Sequence, residues 1–572
     1  MKILQINIRV NKGSVSRITE QIGLKIMEQG WESYVAYGRP SNPSKSHMIP
    51  IGTYNGVKLH YFMSNLTGRH GLFSTSATKK LVERIREIKP DIIHLQNIHG
   101  YYINYRVLFE YLNSIEIPIV WTLHDCWSFT GHCSHFVSAN CDRWKSGCHD
   151  CPLKKDYPKS LFFDFSKKDY KLKKKLFAGN RNLHLVPVSH WLEGLVRQSY
   201  FKDHDIRVIH NGIDLNVFYP RQHKSTERTK ILGVAGVWGK GKGLYDFYAL
   251  RERLPKDQFD ITLIGLSSEQ MADIPDGIIG VQRTDSVNQL AEYYSDADIF
   301  VNLTYADTFP TVNLEALACG TPVITYRTGG SPETIDKSTG VVIEQGNLDE
   351  LVQAVNVYRH LIPWKREEQR IACRNRATDY YERGKCFEEY IDLYKSLTGG
   401  GKFLIIGVAT SWSKGKGLED YVSLRNVLGD EYQIALIGVN DKVRESLPDG
   451  IIGLSKTDSI EKLAFIYSIA NVVTSLSYAE SLGMTPIEGM ACGTPAIVYD
   501  NTAQPELVDE KCGLVVPTGD IKALQNAIEV VRRNGKIYYS EACVARAKRC
   551  FDKEERYNDY INLYKELCDQ KN

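Results

Sequence analysis

The sequence predicts an α/β protein of three doubly wound domains, each a parallel sheet with helices on both faces. Two observations predict it. Short apolar runs alternate with stretches of helical period along the chain, the pattern that strands buried on both faces produce. The last third of the chain also repeats the middle third. "YADTFPTVNLEALACGTPVI" from Tyr305 returns as "YAESLGMTPIEGMACGTPAI" from Tyr478. "GVAGVWGKGKGL" from Gly233 returns as "GVATSWSKGKGL" from Gly407, and "YIDLYKSL" from Tyr390 as "YINLYKEL" from Tyr560. Self-similarity this long marks a duplicated domain.

In the first domain, residues 1–217, the strand candidates are MKILQINI, WESYVAYG, DIIHLQ, PIVWTLH and HLVPVS, with a helix over SVSRITEQIGLKIMEQG. A polar stretch from Val217 to Lys230 reads as a linker. The second domain, 229–398, alternates strands KILGVAGV, FDITLIG, DIFVNLT and PVITY with helices GLYDFYALRERL, SVNQLAEYYSDA and PTVNLEALAC. Gly399, Gly400 and Gly401 form a flexible break, and the third domain, 402–572, repeats the second.

The 572 residues exceed one hydrophobic core. A net charge of +3 argues against a nucleic-acid partner, and 43% hydrophobic with 24% charged residues is ordinary for a globular protein. No apolar run reaches the roughly 20 residues that span a bilayer, and no signal peptide precedes MKILQINI. The expectation is a cytoplasmic protein whose 13 cysteines are mostly reduced.

Two stretches carry chemistry. The run from Asp307 to Glu315 opens a helix expected over 310–319: Pro310 suits a first turn, and Gly320 with Pro322 ends it. That helix starts at the carboxyl end of a strand, where open α/β sheets bind ligands, and its free N–H groups suit an anion. Asp307 and Glu315 could accept bonds from sugar or ribose hydroxyls. The loop "GVWGKGKGL" brings Lys240 and Lys242 within reach of a diphosphate. It nearly matches a phosphate-binding P-loop, but Gly243 stands where a magnesium-binding Ser or Thr is needed, and GxGxxG is absent. The Asp-x-Asp pairs Asp203/Asp205 and Asp296/Asp298 read as solvated turns rather than as a metal site.

These elements resemble the retaining glycosyltransferases of family 4, of GT-B fold, that build bacterial polysaccharides and glycolipids. The likeness rests on Asp307 and Glu315 (the family's E-x7-E), ACGTPV, TGGSPE, Trp238 to Gly243 (W-x3-KG), HNGID from His210, NKGSVSR from Asn11, and TLHD from Thr122. It covers nearly all of residues 1–398. The resemblance implies two Rossmann-like domains, followed here by a duplicate of the second. It implies a nucleotide-sugar donor, UDP- or GDP-linked, a saccharide or lipid-linked acceptor against the first domain, and no metal for catalysis. His124, Asp307 and Glu315 would be catalytic. Gly13, Arg17, Asn211, Lys240, Lys242, Phe309, Pro310 and Thr311 would bind the donor. Asp307 is shorter than the family's usual glutamate, and Gly241 replaces a frequent arginine. Two other outcomes are a sugar-nucleotide epimerase of the same architecture and a binding protein without transfer activity.

In the repeat, Lys414, Lys416, Glu480 and Glu488 form a second donor-type set, although the double glycine of TGGSPE is lost. Cys133, Cys141, Cys148 and Cys151 include a C-x2-C pair, and they read either as a structural zinc site or as reduced packing cysteines, or as disulfides in an oxidising compartment. Six lysines interleaved with Tyr170, Leu172, Leu176 and Phe177 over 166–177 suggest peripheral contact with the inner face of the cell membrane.

Overall fold

A computed structural model describes residues 1–223, 226–398 and 402–569. The chain divides into two compact units, Met1–Tyr394 and Lys395–Asn572. The glycine break at 399–401 lies outside the described residues.

The first unit holds two sheets. One comprises β1 (Lys2–Asn7), β2 (Glu32–Tyr37), β3 (His47–Pro50), β4 (Ile92–Leu95), β5 (Ile119–Leu123), β6 (Leu183–Pro187) and β7 (Asp205–Ile206). Its order is β3-β2-β1-β4-β5-β6-β7, with every pair parallel. The other comprises β8 (Thr229–Val234), β9 (Phe259–Ile264), β10 (Ile278–Val281), β11 (Ile299–Asn302), β12 (Val323–Tyr326) and β13 (Gly340–Ile343), ordered β10-β9-β8-β11-β12-β13. In the second unit β14 (Phe403–Val408), β15 (Tyr432–Ile437), β16 (Ile451–Leu454), β17 (Val472–Ser475), β18 (Ala496–Tyr499) and β19 (Gly513–Val516) repeat that order strand for strand. Strand order reverses between β1 and β4, β8 and β11, and β14 and β17. Each reversal opens a crevice at the strands' carboxyl ends.

The central strands are apolar throughout because helices cover both faces. Every residue of β4, β5, β11 and β12 is buried. The strands that the hydrophobic pattern does not announce are edge or near-edge strands: β3 and β7 carry His47 and Asp205, and β10 and β13 contain Gly280 and Gly340.

The two halves of the first unit are stitched together by the helix Arg383–Leu397. Its Tyr390 hydroxyl bonds Thr122 Oγ1 at 2.9 Å, and its Tyr394 hydroxyl bonds His94 Nδ1 at 2.6 Å. At its start the backbone crosses the HNGID segment, where Ile213 N donates to Tyr381 O and Arg383 N to Ile213 O. A Cβ on Gly212 would lie 2.5 Å from Arg383 Cα, so the crossing depends on that glycine.

The helix Ser166–Phe177 is not a uniformly solvated basic face. Lys173 is buried, with Nζ donating to Trp127 O (2.8 Å) and Thr130 O (3.1 Å), and burial pushes its pKa down to about 7. Tyr170, Leu176 and Phe177 face the core, which leaves the other five lysines outside. The four cysteines do ring one cavity of about 10 Å3. Cys133 and Cys151 share a hydrogen bond, and Cys148 Sγ accepts from Gly131 N at 3.2 Å. Among the described residues, no group of three or more His, Cys, Asp or Glu side chains stands arranged to hold a metal ion. Also among the described residues, no helix is long and apolar enough to cross a membrane.

Candidate active site

The crevice at β8 and β11 is built from three segments. The first is the glycine loop after β8. Trp238 anchors it, donating from Nε1 to Ile264 O at 2.8 Å. Gly243 turns it at φ 72°, where a Cβ would meet Leu303 O at 2.4 Å. Only glycine fits that close approach. The turn carries Lys242 over the loop that follows β11, whose Tyr305 N donates to Gly241 O of the glycine loop at 3.0 Å. Lys242 Nζ then lies 2.9 Å from Asp307 Oδ2 and 3.3 Å from Thr304 Oγ1. Both partners of this ion pair are partly exposed. Such a pair contributes about 0–1 kcal/mol, so an incoming phosphate can replace the carboxylate at little cost.

The second segment is the helix Thr311–Ala318. Pro310 sits at its N-cap, one position before the first turn, and no side chain caps this end. The leading N–H groups therefore face the crevice unused by the protein's side chains. Gly320 ends the helix at φ 75°. The buried amide of Asn313 accepts from Asn302 Nδ2 (2.8 Å) and donates to Thr334 Oγ1 (2.9 Å), fixing the helix between β11 and the SPET turn. One and a half turns in, Glu315 accepts from the Tyr294 hydroxyl at 2.8 Å. Burial pushes its carboxyl up to about 7, against the lowering effects of Tyr294 and of the Arg17 charge. Arg17 belongs to the other half of the unit, so the acid sits within its field.

The third segment is TLHD at the end of β5. Thr308 Oγ1 donates to His124 O at 2.7 Å, which brings this loop directly against Asp307. Burial holds His124 at about 4, so its ring is neutral near pH 7. Its Nε2 lies 2.8 Å from Gln96 Oε1, an acceptor, so Nε2 carries the hydrogen and Nδ1 keeps a lone pair. Gln96 Nε2 in turn reaches His94 Nε2 at 3.1 Å, and His94 Nδ1 reaches Tyr394. A chain of bonds thus runs from the helix Arg383–Leu397 to the active-site imidazole. Next to it, Asp125 pairs with His99 at 2.8 Å and is held down at about 2, its burial outweighed by the charge of His99 and the hydrogen bond to it.

The double glycine of TGGSPE has a steric role. A Cβ on Gly329 would lie 1.7 Å from Asp307 O, and one on Gly330 would lie 2.0 Å from Thr308 O and 3.0 Å from Ser189 Cβ. Glu333 then accepts from His190 N (2.9 Å) and Trp191 N, capping a helix of the first sheet's domain from the second.

His124, Asp307, Glu315, Lys242 and Arg17 are thereby assembled around one crevice. Gly13, at φ 91°, precedes the helix that carries Arg17, and Lys240 is exposed on the glycine loop. Thr311 begins the 311–318 helix. Phe309 is turned inward: its ring stacks on His210 at 4.7 Å and 9°, so only its backbone faces the crevice. Pro310 and Asn211 are likewise buried. Sequence reasoning missed Gln96, His94 and Tyr394, whose role depends on contacts across 28 to 300 residues. It also missed Tyr294 as the hydrogen-bond partner of Glu315 and the Arg17 charge as acting on that acid. The Asp-x-Asp at 296–298 is structural: Asp296 pairs with Lys230, and Asp298 with His223 and Lys230 N.

Two doubly wound domains that share a crevice lined by a lysine loop, a helix amino end and a half-buried acid define a GT-B glycosyltransferase. Comparisons agree. The family model described as Glycosyltransferase Family 4 matches residues 15–217, and models described as Glycosyl transferases group 1 match 229–358 and 445–549. The chain belongs to these glycosyltransferases. It is 24% identical over 417 residues to WcaC of Escherichia coli (strain K12), a glycosyl transferase named for colanic acid biosynthesis, covering 69% of this chain and 100% of that protein. It is 27% identical over 192 residues to TuaC of Bacillus subtilis (strain 168), named for teichuronic acid biosynthesis, covering 32% of this chain and 48% of that protein. The fold is similar to that of sucrose-phosphate synthase from Thermosynechococcus elongatus, with a TM-score of 0.54 and 19% identity over 70% of this chain and 100% of that one.

Proposed function

We propose that the unit Met1–Tyr394 transfers a sugar from a nucleoside-diphosphate donor, UDP- or GDP-linked, to a saccharide or lipid-linked saccharide. The product would be a surface polysaccharide or glycolipid, and the configuration at the sugar's anomeric carbon would be retained. The observation that carries this reading is the pairing of Lys242 with Asp307 in the loop before an uncapped helix end, with Glu315, its carboxyl raised to about 7 by burial, inside that helix. Ionised, its two oxygens match the vicinal hydroxyls of a ribose. The helix N–H groups and Lys242 match the pyrophosphate, and Asp307, freed from Lys242, matches a hydroxyl of the donor sugar.

In the reaction the bond between the anomeric carbon and the phosphate oxygen breaks while the acceptor oxygen bonds to that carbon. The acceptor's proton passes to the leaving phosphate oxygen on the same face. Lys242 and the helix end stabilise the charge that develops on the leaving group. Neutral His124 can hold a hydroxyl of the reacting sugar through Nδ1. The polysaccharide class of acceptor is supported by the names of the two relatives.

The test is a panel of UDP- and GDP-sugars with saccharide acceptors. Transfer from at least one donor is expected, and Glu315→Ala should lower it about 100-fold or more while melting cooperatively. Donor hydrolysis or epimerisation without any transfer product would refute the reading.

A lipid-linked acceptor also suits the first domain's surface. Leu59, Phe62 and Leu66 share one exposed face of the helix Tyr54–Thr67, and exposed Leu161, Phe162 and Phe163 adjoin it through the bond from Leu161 N to Asn65 O. Lys58, Lys154, Lys155, Lys159, Lys167 and Lys168 lie on these same segments or beside them in sequence, and all but the partly covered Lys154 are exposed. Apolar side chains accompanied by lysines suit an anionic bilayer surface. The chain should sediment with phosphatidylglycerol vesicles at low salt, and Phe62→Ser with Phe162→Ser should release it. Unchanged sedimentation of that variant would rule this surface out.

A further inference from the structure

The third sheet does not merely repeat a sequence. It rebuilds most contacts of the donor cradle, although Pro486 stands where Asn313 anchors the first cradle's helix. Trp412 Nε1 donates to Ile437 O at 2.9 Å, as Trp238 does to Ile264. Gly417 turns at φ 72° against Leu476, as Gly243 does against Leu303. Tyr478 N donates to Gly415 O at 3.0 Å, matching Tyr305 and Gly241. Lys416 pairs with Glu480 where Lys242 pairs with Asp307. Tyr467 donates to Glu488 at 2.9 Å where Tyr294 donates to Glu315 at 2.8 Å. Tyr499 even holds Asp420 as Tyr326 holds Asp246.

A duplicate free of constraint loses such contacts one at a time, because each depends on specific side chains. Here the substitutions work round the site. Thr502 stands where the first cradle has Gly329, and it keeps the left-handed backbone at φ 49° despite its branched side chain. That conformation is an outlier for a β-branched residue. Its hydroxyl pins the segment it would otherwise disturb, donating to Glu480 O at 2.6 Å and lying 3.2 Å from Glu480 N. Gln504 replaces Ser331 in the same turn. Its fully buried amide donates to Ser477 O at 2.9 Å, and its Oε1 has no protein partner.

The differences fall on the side of the sugar. Phe309 is 3% exposed beneath His210, but its counterpart Leu482 is 40% exposed. The second unit supplies no equivalent of His124 or Arg17. We propose that this unit carries a second nucleoside-diphosphate site, formed by Lys416 with Lys414, Glu480, Glu488 and the amino end of the helix Met484–Ala491. It would hold the nucleotide portion of a donor without the residues that complete transfer. The inference rests on the donor reading of the first crevice.

The test measures how many moles of UDP or GDP the full-length chain binds, by equilibrium dialysis. Two per chain are expected. Lys242→Ala with Glu315→Ala should leave one, Lys416→Ala with Glu488→Ala should leave one, and the fourfold variant should bind at least tenfold more weakly at both sites. Lys416→Met alone should also reduce two to one, which guards against a folding defect from the Glu488 change. If the chain binds one equivalent and the Lys416 variants still bind one, the second site does not exist and the donor reading stands. If the chain binds neither nucleotide, both fall.

Discussion

Glu315 concentrates the electrostatic argument into one side chain. A carboxyl ordinarily near 4.5 is raised to about 7 by burial. The sign for stability follows. Between pH 4.5 and 7 the unfolded chain ionises this group and the folded chain does not, so stability falls as pH rises through that window and levels off above 7. Glu315→Gln should therefore melt higher at pH 8, by on the order of 1–3 kcal/mol, and no differently at pH 4. A differential melt at the two pH values checks this. Donor affinity should move the opposite way, tightening from pH 6 to 8 as the acid ionises, and Glu315→Gln should bind weakly without that slope. His124 depends on a different set of groups. Gln96→Leu removes the side-chain partner of its Nε2 while keeping the volume, and should lower kcat about 10-fold with little change in donor KM; equal loss in both would mean a disturbed fold rather than a misplaced imidazole. The acid, the lysine and the imidazole were legible as motif residues. Their second partners were not, because Gln96 and His94 read as ordinary strand residues until β4 and β5 lie side by side.

At the scale of elements, the crevice is held by turns more than by strands. Gly330 lies so close to Thr308 O that Gly330→Ala must push the Asp307 loop away from His124. Transfer is expected to fall at least 10-fold, with the melting temperature lowered by a few degrees. An unchanged rate would show that the Thr308–His124 contact is dispensable. The buried strands and the 311–318 helix could be anticipated from apolar runs and from the Pro and Gly at its ends. The edge strands β3 and β7 could not, since four or fewer half-polar residues have no clear period. In the lysine-rich helix, helical spacing puts Lys173 on the same face as Tyr170, Leu176 and Phe177. That face packs inward, with the ammonium 3.4 Å above the Trp127 ring.

At the scale of the whole molecule, the cores are separate. The buried cluster of the third sheet contains only residues from Ile405 onward, and the clusters of the first two sheets end at Tyr381. A chain ending at residue 398 should thus fold cooperatively and keep its transfer activity within about threefold. A folded fragment with no transfer would move the catalytic role to the third sheet. The repeat was plain in the sequence, whereas HNGID was legible only as a motif and not as the crossing that joins the first two domains. What needed the structure was the helix Arg383–Leu397, whose YIDLYKSL face is spent on the first sheet, whereas the matching residues Tyr560, Ile561, Leu563 and Tyr564 remain exposed.

One crevice between the first two sheets is proposed to grip a sugar nucleotide. A structure of the full-length chain with a bound nucleoside diphosphate tests it most directly. The ribose hydroxyls are expected on Glu315 and the pyrophosphate between Lys242 and the start of the 311–318 helix, with Asp307 released from the lysine. A nucleotide bound in the first unit with its ribose away from Glu315, or with Lys242 still paired to Asp307, would contradict it.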